Sequence, residues 1–241
     1  MRESRTGVVP DRGHVPLLSH IAPFAAWLIL MTGLGLFGDP APWKYAVRAA
    51  IGGVLLLALR PWRYYPRPNA GSLPLALAVG AGLAILWVGP EHRWGAAVPA
   101  WQELYLRFAV LPFGRLPDAT AGRIYAPDGA GWLMAIVRLA GSAFVIAVIE
   151  EFFWRGFLYR RLQQSDFLRV DPGRFAATAF WITALFFGLE HHRWLVGILA
   201  GLGYGWLYVR TRDVWAVAAA HMLTNLLLGL YVLATRSYGF W

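Results

Sequence analysis

Three short clusters in this 241-residue chain set ionisable or hydrogen-bonding side chains among apolar ones. The first is Glu150-Glu151-Phe152-Phe153-Trp154-Arg155, which follows an apolar run from Gly131 to Ile149 that only Arg138 interrupts. The second is Phe187-Gly188-Leu189-Glu190-His191-His192-Arg193-Trp194. The third is His221-Met222-Leu223-Thr224-Asn225, inside the apolar stretch AVAAAHMLTNLLLGLYVL. A glutamate and a histidine can deprotonate water, and a neutral donor such as asparagine can hold a developing oxyanion. Pooled, the three clusters are the inventory of a hydrolase that uses water directly.

Helical spacing sorts these residues further. Glu151 and Arg155 are i, i+4 neighbours in the favourable acid-before-base order and can neutralise each other. Glu150 points about 100° away and is left without that partner. His221 and Asn225, also i, i+4, share one face. Each cluster has a plainer reading: span-end anchors for the first, a solvated loop for the second, a helix–helix hydrogen bond for the third. Glu190, beside His191, is a rival base.

The surroundings set the cost of burying these groups. Hydrophobic residues make up 58% of the chain and charged ones 15%, against about 45–50% and about 25% in ordinary soluble domains. A globule of this size cannot hide that excess and keep a polar skin. The chain therefore reads as an all-α, multi-pass transmembrane helical bundle. An ionisable group at mid-membrane costs about 2.5–3.5 kcal/mol on insertion scales, so each one asks for a reason. The 22 Lys+Arg against 13 Asp+Glu, net +9, fit basic loops beside anionic lipid, with no nucleic acid as partner. With no cysteine, thiolate catalysis, disulfides and Cys-ligated zinc are all excluded.

Residues 1–20 read as a polar, basic cytoplasmic arm, followed by a single polytopic membrane domain over 21–241. Apolar runs at roughly 21–37, 43–60, 73–90, 131–158, 175–190, 194–210 and 214–234 give about seven spans, a helix needing about 20 residues to cross. The Trp-rich segment 94–113 is an interfacial helix or a poorer eighth span. The first run is expected to be an uncleaved anchor. With the N-terminus inside, inner segments carry about twelve Lys and Arg and outer ones about seven, which follows the positive-inside rule. By residue count His191 lies towards the outer side and His221 about two turns from the inner one. A submerged turn at 190–193 and a sliding of the long helix would bring them level. Gly197, Gly201 and Gly205 form a small-residue stripe expected to allow close helix packing.

Other intramembrane chemistries lack their residues. Gly141-Ser142-Ala143-Phe144 is not the Gly-x-Ser-Gly of a rhomboid-type serine protease, and Glu190-His191-His192 is not His-Glu-x-x-His. The spans hold no aspartate pair. Zinc on Glu150, His191 and His221 is chemically possible as a three-ligand open site.

At these residues the sequence resembles the CAAX-protease and bacteriocin-processing family, the Abi or Rce1-like membrane endopeptidases. The family's Glu-Glu-x-x-x-Arg, Phe-x-x-x-His and His-x-x-x-Asn motifs stand here as Glu150-Glu151-x-x-x-Arg155, Phe187-x-x-x-His191 and His221-x-x-x-Asn225, in family order within 131–234. The stretches 187–194 and 201–208 and the Gly-Phe-Trp end are similar to a bacterial branch found beside exosortase systems.

The resemblance implies a glutamate-dependent intramembrane endopeptidase without a catalytic metal or other cofactor. Glu150 and His191 would activate the water, and His221 and Asn225 would stabilise the oxyanion. Glu151, Arg155 and Phe187 would shape the site from behind. The implied partners are the lipid bilayer and a membrane-associated protein or peptide substrate, and the implied location is a bacterial inner membrane. Nothing in the sequence encodes recognition of a prenyl group. The reading from a different class is a non-catalytic binding or immunity factor, or a proton-coupled small-solute transporter using Glu150 and the histidines; the paired broken helices of transporters are not evident.

Overall fold

The computed structural model describes residues 15–92, 94–118, 120 and 122–241. Most of the basic arm expected over 1–20 lies outside the described residues; residues 15–20 already belong to the first helix. Among the described residues there are nine helices and no strand. They are α1 (Val15–Gly35), α2 (Pro42–Leu59), α3 (Leu73–Val88), α4 (Trp94–Ala97), α5 (Pro99–Phe108), α6 (Pro127–Arg161), α7 (Ala177–Leu189), α8 (Trp194–Thr211) and α9 (Val214–Thr235).

Five of these, α1, α2 with its 3-10 extension to Tyr64, α3 with its lead-in from Ala70, α6 and α9, are long and apolar enough to cross a membrane. At 13 residues α7 spans only about 20 Å, short of a hydrocarbon core of about 30 Å. At 10 residues α5 is too short to cross by itself.

Local chemistry sets the ends. Proline opens α2 at its first position, where a missing N–H costs nothing. The Asp213 carboxylate accepts the Trp215 N–H at 2.9 Å and caps α9. Gly131 takes φ +80°, a conformation that side-chain-bearing residues rarely adopt, and breaks the first turn of α6 from the rest.

α6 is not uniformly α-helical. Two π segments, Gly141–Ile146 and Phe152–Leu158, bracket the single α turn Ala147–Glu151. Each wide turn rotates the residues before it relative to those after it, and such segments are frequent where a helix must aim a functional group. The packed centre runs through Tyr45, Phe152, Trp154, Phe187, Tyr204 and Ala220. The glycine stripe lets α8 lie against α7: a Cβ on Gly201 would come within 3.0 Å of the Ala184 backbone.

At one end of the bundle, the loop after α3 and the chain after α9 close over the 190–193 turn. Arg193 is ion-paired with Glu91, with Nη2 to Oε2 at 2.9 Å, and donates to Gly239 O at 2.8 Å. Leu111 N–H donates to His192 O at 2.7 Å, and Trp194 Nε1 to Phe108 O at 3.0 Å.

Candidate active site

Consecutive residues in the α turn of α6 point different ways, so the two glutamates have different surroundings. Glu151 is fully buried, and its Oε1 accepts from Arg155 Nη1 at 3.0 Å and from His221 Nδ1 at 2.8 Å. Arg155 is spent structurally as well. Its Nη2 donates to Gly201 O at 3.0 Å, and its guanidinium lies 4.5 Å from the Phe187 ring centre. That carbonyl belongs to Gly201, in the stripe by which α8 packs on α7.

Glu150 is 5% exposed, and its Oε2 has no hydrogen-bond partner. The nearest imidazole nitrogen is His221 Nε2, 3.7 Å away. The side chain faces a cavity of about 460 Å³ that Phe187, His191, His221 and Asn225 also line. Glu151 and Arg155 sit behind this wall and do not line it.

The depth problem posed by residue counting has a structural answer. α7 ends at Leu189, and the turn carrying His191 is tied to the segments just described through His192 O and Arg193. Phe187 is the common platform: His191 packs on it with ring centres 4.9 Å apart, and His221 meets its edge at 5.7 Å. His191 Nδ1 donates to Phe187 O at 2.7 Å, because a carbonyl can only accept. That bond fixes the tautomer and leaves the Nε2 lone pair free.

Asn225 Nδ2 donates to Ser142 O at 3.0 Å, inside the first π segment. The same carbonyl accepts the wide-turn bond from Ala147 N–H, so α6 and α9 are tied at the point where α6 changes pitch. One amide hydrogen of Asn225 remains for the cavity.

Two cavity residues of possible chemical use were not singled out from the sequence. Tyr204 stacks on His221, ring centres 4.8 Å apart, with its buried hydroxyl unpartnered. Its only sequence signal is its place in the 201–208 stretch. Arg138 was visible as the sole interruption of an apolar run, and it lines the cavity too. Glu190, the rival base, also lines it, with Oε2 buried and unpartnered. Among the described residues no three His, Asp or Glu side chains are grouped to hold a metal ion. The arrangement places two carboxylates with an unpartnered oxygen, Glu150 and Glu190, one imidazole with a free lone pair and one amide donor on a shared space, which suffices for general-base attack of water on a carbonyl.

Residues 132–227, less than half of the chain, match the family model described as type II CAAX prenyl endopeptidase Rce1-like. That region contains all three clusters. The match supports a peptidase of this membrane-embedded kind at family level. Comparison with curated proteins and comparison with solved structures each found no match.

Proposed function

We propose that this chain is a CAAX-protease-like intramembrane endopeptidase that cleaves a membrane-associated protein or peptide by glutamate-dependent activation of water. One observation carries the reading. Residues from three separate parts of the chain, Glu150 on α6, His191 after α7, and His221 with Asn225 on α9, face a single cavity. Independent structural duties for each would not require that convergence.

In the proposed mechanism water sits between Glu150 and His191, and one of them takes its proton as oxygen attacks the scissile carbonyl. Asn225, and His221 through Nε2–H when its ring carries both protons, donate to the oxyanion. Glu151 accepts from His221 Nδ1 and so orients that ring, as the third group of a catalytic constellation does. Collapse of the tetrahedral intermediate returns the proton to the leaving amine. The reading extends to a bacterial inner membrane with the N-terminus inside. It also includes the exosortase-associated branch suggested by 187–194 and 201–208, with a tail bearing a sorting signal as substrate.

The deciding experiment is cleavage in proteoliposomes, read by mass spectrometry over a library of membrane-tethered peptides that includes prenylated and sorting-signal tails. Wild type and Glu150→Gln are compared with chelator present throughout. Cleavage by wild type alone supports the proposal. Equal cleavage by both removes Glu150 from the mechanism, and cleavage only after zinc is restored replaces the metal-free reading.

A further inference from the structure

Arg138 projects from α6, the helix that carries Glu150, and lines the same space. Its guanidinium carbon lies 4.2 Å from the Tyr45 ring centre and 5.3 Å from that of Tyr125. A second cation stands near the same ring: Arg48, on α2, lies 5.5 Å from the Tyr45 ring centre and 4.6 Å from that of Trp27. The Nε of each arginine is buried and without a hydrogen-bond partner.

None of the ion pairs among the described residues includes either arginine. Other deeply placed arginines have an unpartnered Nε too, as Arg155 and Arg160 do, but their remaining guanidinium nitrogens are engaged: Arg155 by Glu151, Arg193 by Glu91, Arg160 by two backbone carbonyls. Ring faces attract a guanidinium but leave its in-plane N–H donors free. Two like charges around one buried tyrosine repel each other, and an anion between them and the cavity would relieve that repulsion. A planar fork of donors suits a carboxylate.

Resting on the peptidase reading above, we infer that Arg138, backed by Arg48, binds a carboxylate of the peptide substrate and so sets where that peptide is cut. The carboxylate is an Asp or Glu side chain or a free chain end. Arg138 and Glu150 stand on the same helix with the first π segment between them, and an extended chain covers at most about 3.3–3.6 Å per residue. The carboxylate therefore lies several residues from the scissile bond. A peptide is the favoured occupant over a lipid headgroup because Arg138 shares its space with Glu150 and both histidines.

The test uses lipid-anchored peptides of otherwise uncharged sequence, carrying one Glu moved a residue at a time, each with its Gln counterpart and with free or amidated ends. Binding is read on the Glu150→Gln protein in neutral-lipid vesicles by fluorescence anisotropy of dye-labelled peptides. Cleavage is read separately on the Glu150-containing protein. The expected result is tighter binding of the Glu peptide by about tenfold at one or two positions, as one charge-assisted contact gives. In Arg138→Gln the Glu:Gln ratio falls to about one, and Arg138→Lys restores part of it. A preference in binding without any cleavage supports the carboxylate site and counts against the peptidase reading alone. Equal binding of Glu and Gln peptides by the Arg138-containing protein overturns the inference without any arginine variant having to fold. Loss of the preference when anionic phosphatidylglycerol is added assigns the arginines to lipid phosphate and overturns it as well.

Discussion

His221 donates to Glu151, not to Glu150: Nδ1 stands 2.8 Å from Glu151 Oε1, while Nε2 stops 3.7 Å short of Glu150 Oε2. Neighbouring glutamates in one helical turn thus do separate work. Glu151 joins a buried lattice with Arg155, Gly201 and His221, and Glu150 is left facing the cavity.

The two glutamates are expected to part company on substitution. Glu151→Gln leaves the 1%-exposed Arg155 without its counter-charge and should destabilise the protein by about 3–5 kcal/mol. Glu150→Gln removes no hydrogen bond at Oε2 and should leave the unfolding midpoint nearly unchanged while abolishing cleavage. Thermal unfolding in detergent separates them; equal shifts would mean that Glu150 is structural too.

Asn225 answers to both structure and chemistry. Asn225→Ala loses the bond to Ser142 O, about 1 kcal/mol of stability, and should lower kcat by about 10²–10³ if its second amide hydrogen holds the oxyanion. Asn225→Asp should be worse in both respects, since a carboxylate would face the Ser142 carbonyl. Steady-state cleavage beside unfolding midpoints reads the split. A loss of stability with kcat intact would leave only the helix tie.

Phe187 is 1% exposed and supports His191, His221 and Arg155 together. Phe187→Ala should cost about 3–5 kcal/mol. Phe187→Leu, milder in volume, should fold and still lose activity, because both imidazoles lose the flat surface that orients them. Retained activity in a well-folded Leu variant would reduce Phe187 to filler.

The roof over the 190–193 turn depends on one pair. Glu91 and Arg193 side chains are 11% and 9% exposed. Glu91→Ala and Arg193→Ala should each destabilise by roughly 3 kcal/mol or more, and the double variant by less than their sum. Limited proteolysis of the 89–118 segment should quicken in both singles. An additive cycle would show that the pair does not hold the roof.

Much of this was legible in the chain itself. Apolar runs longer than about 17 residues specify helices in lipid, because every backbone group there must be satisfied internally. The i, i+4 spacing of Glu151 and Arg155 gave their pairing, and the glycine stripe announced close packing on one face of α8, since both follow from helical period alone; that α7 fills that face is the fold's decision. Tertiary structure decided the rest. Residue counting set His191 and His221 at different depths, whereas the fold packs both on Phe187. The π segments flanking Glu150 leave no residue pattern, because they arise from how α6 must turn to meet α2 and α9. Arg138 could be seen as an anomaly in an apolar run, but its lack of a counter-charge is a property of its neighbours in space. Local period is written in neighbours along the chain; the compensation of a buried charge depends on residues that only folding brings near.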